Sequence, residues 1–173
     1  MQGFGDCGRF SETDIEKDLS MIKTNITAVH ILTKLYLKDM KQRNSGKILN
    51  VASIAGFFPG PLMATYYSTK AYVVRLSQAI REELRKEKSN VQISILCPGP
   101  VETNFMTVAN IDFHLRESSC KKTADYAIKQ FLRGKFNIVP GFGVKIAIYF
   151  RHFISDKLVA KVLYNVQKIK MGK

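Results

Sequence analysis

Residues 47–70 read KILNVASIAGFFPGPLMATYYSTK. The apolar run Ile48-Leu49-Asn50-Val51-Ala52 reads as the body of a buried parallel strand, Lys47–Ala52. Ser53 falls where that run stops. Gly56, Pro59, Gly60 and Pro61 then make a loop, and Tyr66-Tyr67-Ser68-Thr69-Lys70 opens a long helical pattern. Tyr66 and Lys70 are four apart, so a helix puts them on one face, a turn apart. An ammonium beside a phenol favours the phenolate. It draws the tyrosine pKa down from about 10 towards the range of a general acid or base. The Ser53 hydroxyl, at the strand end, is placed to hydrogen-bond the same reacting oxygen. By itself Tyr-x-x-x-Lys is most often an aromatic and a snorkelling lysine sharing a helix face. The surrounding chain decides between the two.

Asn25 lies 28 residues before Ser53, and Ser53 lies 13 before Tyr66. After the helix, Val91–Cys97 reads as a second strand, followed by Pro98-Gly99-Pro100-Val101-Glu102-Thr103. In that order and spacing the four elements resemble the catalytic half of the short-chain dehydrogenase/reductase family, over most of the chain. The resemblance implies an active-site tetrad of Asn25, Ser53, Tyr66 and Lys70. Tyr67 is out of register for the tyrosine, because four residues on from it is Ala71. It also implies a nicotinamide cofactor, NAD(H) or NADP(H) with NADP(H) favoured, held by Gly3, Tyr66, Lys70, Pro98, Gly99, Val101 and Thr103. The implied reaction is carbonyl reduction or alcohol oxidation of a small molecule. The implied fold is α/β: the C-terminal part of a Rossmann-type doubly wound parallel sheet, three layers deep and incomplete at its N-terminal half.

With 173 residues, 46% hydrophobic and 24% charged, the chain has the make-up of one globular domain. Three widely spaced cysteines (Cys7, Cys97, Cys120) without a C-x-x-C point to reduced thiols in a cytoplasmic setting and to no zinc or other metal site. Cys97, ending an apolar strand, reads as a buried small hydrophobe. The charge is uneven: residues 121–173 hold +10 of the formal +13. A basic C-terminal third suits an anionic membrane surface or an acidic protein. Nothing in it resembles a nucleic-acid module, so no nucleic-acid partner is expected.

Ser11 is the expected N-cap of a helical pattern that runs through Ile15, Leu19, Ile22, Ile26, Val29, Leu32, Tyr36 and Met40. That length predicts two consecutive helices with a break near Asn25, where the resemblance places a kink that helps hold a water in the proton relay. His30 has no acid or nucleophile spaced to partner it and reads as structural. Asn44-Ser45-Gly46 ends the second helix. The Tyr66 helix continues through Val73, Leu76, Ile80 and Leu84. Strand, helix, strand gives a parallel sheet whose ligands bind beyond the strand carboxyl ends, where Ser53 and Pro98-Gly99 fall.

From Asn104 to Cys120 periodicity is lost, which resembles the family's substrate lid. Phe105, Met106, Ile111 and Phe113 there, facing Phe57, Phe58, Leu62 and Met63, predict either an apolar substrate pocket or ordinary core. Thr123 is expected to cap a helix over Ala124–Arg133, and Phe136–Val139 to be a last strand. The body of the domain is read as residues 1–141 and a basic amphipathic extension as 142–173. In the extension, Phe142–Ile154 is apolar but too short to span a bilayer. Lys157–Lys170 is amphipathic, with Leu158, Val162, Val166 and Ile169 on one side, suited either to docking on the domain or to lying peripherally in a membrane interface. The apolar arcs of residues 15–40 and 66–84 are compatible with a homodimer through the two long helices, and equally with packing on the sheet.

Sequences of the family carry a Gly-rich turn ahead of this region, which receives the cofactor pyrophosphate. No G-x-x-x-G-x-G occurs here, and at the expected Asn-Ala-Gly the chain reads Met1-Gln2-Gly3. The resemblance therefore implies an N-terminally truncated reductase, with the strand Lys47–Ala52 unpaired on one side and NAD versus NADP unreadable. A non-catalytic fragment that binds a membrane or protein through its basic end is the alternative.

Overall fold

The computed structural model describes residues 3–101, 105–109 and 118–170. The quoted stretch folds as read. β1 (Gly46–Val51) is followed by a 3-10 turn (Ile54–Phe57), and β2 (Val91–Leu96) follows the long helix that begins at Ala64. β1 pairs in parallel with β2 from Gly46↔Val91 to Val51↔Leu96. β2 pairs in parallel with β3 (Asn137–Ile138), giving the order β1-β2-β3. Among the described residues β1 pairs on one side only.

Parallel strands need long crossovers, and helices supply them. α1 (Ile15–Ile22), a π turn (Lys23–Thr27) and α2 (Ala28–Gln42) lead into β1. The expected break near Asn25 is that π turn, one residue wider than an α-helical turn. The N-cap is Asp14, not Ser11: its carboxylate accepts from the Glu16 N–H at 3.0 Å. Ser11 is already committed to a turn in which Arg9 O accepts from Glu12 and Thr13. α3 (Ala64–Lys86) joins β1 to β2, and α4 (Phe105–Val108) is a single turn. α5 (Cys120–Leu132) starts earlier than expected, because Ser119 O already accepts from the Thr123 N–H. α6 (Phe142–Phe150), a 3-10 turn (Arg151–Phe153) and α7 (Asp156–Lys170) complete the described chain.

The core lies between the sheet and α2–α3. Val91, Ile93, Ile95 and Cys97 point to one face of β2 and pack on Val73, Val74, Ile80 and Leu84 of α3. Asn50, opposite Ile95, faces the same way. Its amide accepts from Thr33 of α2 at 3.1 Å and donates to Ser77 of α3 at 3.0 Å, so one buried polar side chain ties both helices to β1. Lys47, on the opposite parity, donates to Leu132 O at the end of α5, which places that helix end across the other face. Val144 and Ile148 of α6 pack against the main core.

Candidate active site

Because β1 and β2 are parallel, their carboxyl ends meet at one edge. Ala52 N–H donates to Leu96 O at 2.8 Å and Ile54 N–H to Pro98 O at 3.1 Å, stitching the two following loops together. Ser53 caps the 3-10 turn, its Oγ accepting from the Ala55 N–H at 3.2 Å. The turn lies hard against α3: a Cβ at Gly56 would come within 2.6 Å of Lys70 O, so only glycine permits this approach. That contact brings Ser53 up to Tyr66, where its hydroxyl favours the ionised phenol.

The Tyr66 ring is held at centroid distances of 5.1 Å from Phe105 and 6.1 Å from Tyr67. Lys70, buried one turn along α3, sets its Nζ 5.8 Å from the centre of that ring and donates a long 3.4 Å bond to Val51 O. Asn25 arrives from the π turn. Its Nδ2 donates to Phe4 O at 2.9 Å and to Thr69 Oγ1 at 3.1 Å, and Thr69 donates to Tyr66 O at 2.7 Å. Thr69 therefore ties the π turn to the turn of α3 that carries the phenol. His30 bonds Tyr72 Oη through Nδ1 at 2.6 Å, a structural pairing as expected.

Electrostatics depart from the simplest expectation. Desolvation pushes the Tyr66 phenol up to about 12, against the lowering effect of the Ser53 hydroxyl. The same burial brings Lys70 down to about 8. What opposes burial at the phenol is the Ser53 hydroxyl and not the Lys70 ammonium, and burial wins. Tyr66 thus keeps its proton at neutral pH, the form a general acid needs. Cys97 is fully buried, its thiol raised to about 12 by desolvation despite nearby Lys70, and it is inert as a nucleophile.

Ser53, Tyr66, Lys70, Gly3, Pro98, Gly99 and Val101 line one cavity of about 350 Å³. Asn25 stands behind it, against Gly3. Thr103, Met1 and Gln2, and the expected lid positions Ile111 and Phe113, lie outside the described residues. Of the loop expected to face the lid, only Met63 reaches the cavity; Phe57 packs in the main core. Tyr67, Cys120, Thr123 and Gln167 also line it, and sequence reasoning had assigned none of them there. Tyr67 had been set aside only as the catalytic tyrosine, and Thr123 read as a helix cap. Gln167, in a basic amphipathic helix, carries no sequence signal at all.

The wall near Lys70 fits the nicotinamide end of a dinucleotide. A Cβ at Gly3 would collide with Asn25 Oδ1 and come within 2.9 Å of Lys70 Nζ, so the backbone there lies bare against the ammonium. Asn25 Oδ1 is buried without a hydrogen-bond partner among the described residues. At Gly99 an added Cβ would meet only Val144 Cγ2 at 3.5 Å and Ile54 Cδ1 at 3.9 Å. Nothing among the described residues requires glycine there, which suits close approach of a ligand.

The model of the family described as short chain dehydrogenase matches residues 2–113. Human 17-beta-hydroxysteroid dehydrogenase type 3 is 37% identical over 113 residues, covering 65% of this chain and 34% of that protein. The very-long-chain 3-oxoacyl-CoA reductase of Laccaria bicolor is 40% identical over 83 residues, 48% of this chain and 25% of that one. The chain thus spans about a third or less of these two curated relatives. Among solved structures, a short-chain dehydrogenase from Sphingobium yanoikuyae in complex with NADPH superposes with a TM-score of 0.77 at 25% identity, over 88% of this chain and 59% of that one. One from Burkholderia phymatum in complex with NAD gives 0.77 at 21% identity, over 88% and 63%, a likeness of fold.

Proposed function

Since this chain belongs to the short chain dehydrogenase family, we propose that it forms the catalytic part of an NAD(P)(H)-dependent oxidoreductase acting on a carbonyl or the corresponding alcohol. The observation that carries this reading is the convergence of Ser53, Tyr66 and buried Lys70, one helical turn beyond the tyrosine, on the wall of one apolar cavity. A bound nicotinamide cofactor supplies or accepts the two-electron equivalent. Gly3, Tyr66, Lys70, Pro98, Gly99, Val101 and Thr103 would hold its nicotinamide end. The chain's own residues handle the proton. Tyr66 gives its phenolic proton to the carbonyl oxygen as charge develops there, and Ser53 holds that oxygen with a hydrogen bond. Lys70 stabilises the phenolate left behind, and Asn25 supports the path by which the phenol is reprotonated. In alcohol oxidation the same groups run in reverse. NADPH is the first cofactor to try, following the family resemblance and the Sphingobium structure.

Relatives named for hydroxysteroids and very-long-chain acyl groups, together with a cavity walled by Met63, Tyr67 and Phe105, favour an apolar substrate. The test is carbonyl reduction followed by nicotinamide absorbance. Tyr66→Phe, which keeps the ring contacts, removes turnover; turnover that survives it overturns the assignment. Leu35 and Tyr36, well exposed on α2, are the proposed contact of a homodimer, checked by whether Leu35→Glu lowers the sedimentation coefficient.

A second, non-catalytic reading has its own observation. The rings of Tyr149, Phe150 and Phe153 cluster at 5.6–6.2 Å while all three stay exposed, Phe153 by 75%. They sit in the segment that carries most of the positive charge, with Lys157 and Lys161 exposed beyond them. This surface suits the headgroup layer of an anionic membrane. Among the described residues no helix is long and apolar enough to cross one.

A further inference from the structure

α7 is amphipathic, yet the side chain it buries completely is a polar one. Leu158, Val162 and Ile169 are exposed, while Gln167 is 0% exposed. Glutamine is rarely fully buried, because its amide has four hydrogen-bonding positions to satisfy. Nε2 of Gln167 donates to Tyr67 Oη at 2.9 Å. Its Oε1 is buried with no hydrogen-bond partner among the described residues. The same side chain lines the cavity that holds Ser53 and Tyr66. Seating α7 on α3 needs only the bond to Tyr67, so helix docking leaves the carbonyl oxygen unexplained. A buried acceptor without a partner is costly, and one on a cavity wall is satisfied by what fills the cavity.

We propose that Gln167 is a specificity residue of the substrate site, its Oε1 accepting a hydrogen bond from a hydroxyl or N–H on the substrate, remote from the reacting carbonyl. This rests on the reductase reading of the cavity and adds a substrate class to it: an apolar body bearing a carbonyl at the Ser53–Tyr66 end and a donor group elsewhere. A site built to receive a donor discriminates strongly against an analogue without one, because its buried acceptor is then left bare. Tyr67 is the positioning residue. Its hydroxyl occupies Nε2 and so leaves the amide oxygen as the uncommitted acceptor. Gln167 is far outside the motif that identifies the family, which ends within residues 2–113.

The test uses the full chain and a matched pair of rigid probes, trans-2-decalone and its 6-hydroxy derivative, with binding followed by tyrosine fluorescence. The hydroxylated probe is expected to bind about tenfold more tightly, the worth of one net hydrogen bond. Gln167→Leu is expected to bind both probes equally, at the affinity of the plain ketone, with its circular dichroism unchanged. Gln167→Met, unbranched and of similar length, gives the same comparison if the leucine variant does not fold. Equal binding of the pair by the unmodified chain, or a hydroxyl preference that survives both substitutions, overturns the role of Gln167 and leaves the reductase reading standing. If neither probe binds, the cavity is not a site for apolar carbonyls, and both readings fail together.

Discussion

Tyr66 and Lys70 stand one helical turn apart with the ammonium 5.8 Å from the ring centre, and burial reverses their usual order of titration. The lysine, at about 8, loses its proton well before the phenol, at about 12. The alkaline limit of carbonyl reduction therefore belongs to Lys70. Reduction rates are expected to fall as pH rises through about 8 while Tyr66 is still protonated. A pH–rate profile with its alkaline limb near 10 would show that the phenol sets the limit instead.

The same shift predicts a stability change. Lys70 binds its proton less tightly folded, at about 8, than unfolded, at 10.5. The cost of holding it charged is in full force below pH 8 and is relieved as pH rises from there. Above pH 9 the Cys97 thiol, raised from 9.0 to about 12, acts with opposite sign. Between pH 8 and 9 unfolding free energy should therefore rise, by on the order of 1 kcal/mol. Urea titrations should show this rise in the unmodified chain and a flat response in Lys70→Met.

Ser53 has two separable duties. Ser53→Ala removes a cap worth about 1 kcal/mol, visible as a lower urea midpoint. It also removes the hydroxyl that opposes the effect of burial at Tyr66, so absorbance titration should find the phenol ionising at still higher pH. A Tyr66 titration that does not move would show that the hydroxyl pair is not coupled.

Two glycines on the site should behave oppositely. Gly56→Ala forces the 3-10 turn off α3 and should destabilise the chain by about 1–3 kcal/mol. Gly99→Ala meets only ordinary contacts, so stability should hold while NADPH binding, measured by fluorescence, weakens. Unchanged NADPH affinity in Gly99→Ala would remove Gly99 from the cofactor wall.

The aromatic cluster makes the membrane reading measurable. Co-sedimentation with phosphatidylcholine vesicles should increase when phosphatidylserine is added, decrease with salt, and be lost in the double variant Phe150→Ser, Phe153→Ser. Sedimentation indifferent to lipid charge and to those rings would rule this surface out.

Much of this molecule could be read from local pattern. The run ending at Ala52 declares a strand by its apolar, branched residues, and the run ending at Cys97 by alternation that gives way to an apolar end. The Tyr66 helix declares itself by period. Spacing brought Ser53, Tyr66 and Lys70 together on paper, and they line one cavity in space. What escaped depended on the third dimension. Asp14 displaced Ser11 as a cap because Arg9 had already turned the chain. The Tyr66 pKa went up because desolvation, which no sequence displays, outweighed the neighbouring Ser53 hydroxyl. Asn50, a polar residue inside an apolar run, gave no hint that Thr33 and Ser77 would meet it. Gln167 sits 100 positions from its partner Tyr67 in a helix whose apolar stripe pointed elsewhere.

Among the described residues of α7 only Gln167 is fully buried, with Val159, Ala160, Leu163 and Val166 half-buried. A fifteen-residue helix so lightly held has little cooperative tie to the core and should open by itself, far more often than the sheet. Its amide hydrogens should exchange with solvent in a fast sub-global event while those of β1 and β2 wait for complete unfolding. Whatever grips its outer surface then sets how often the cavity loses one of its walls.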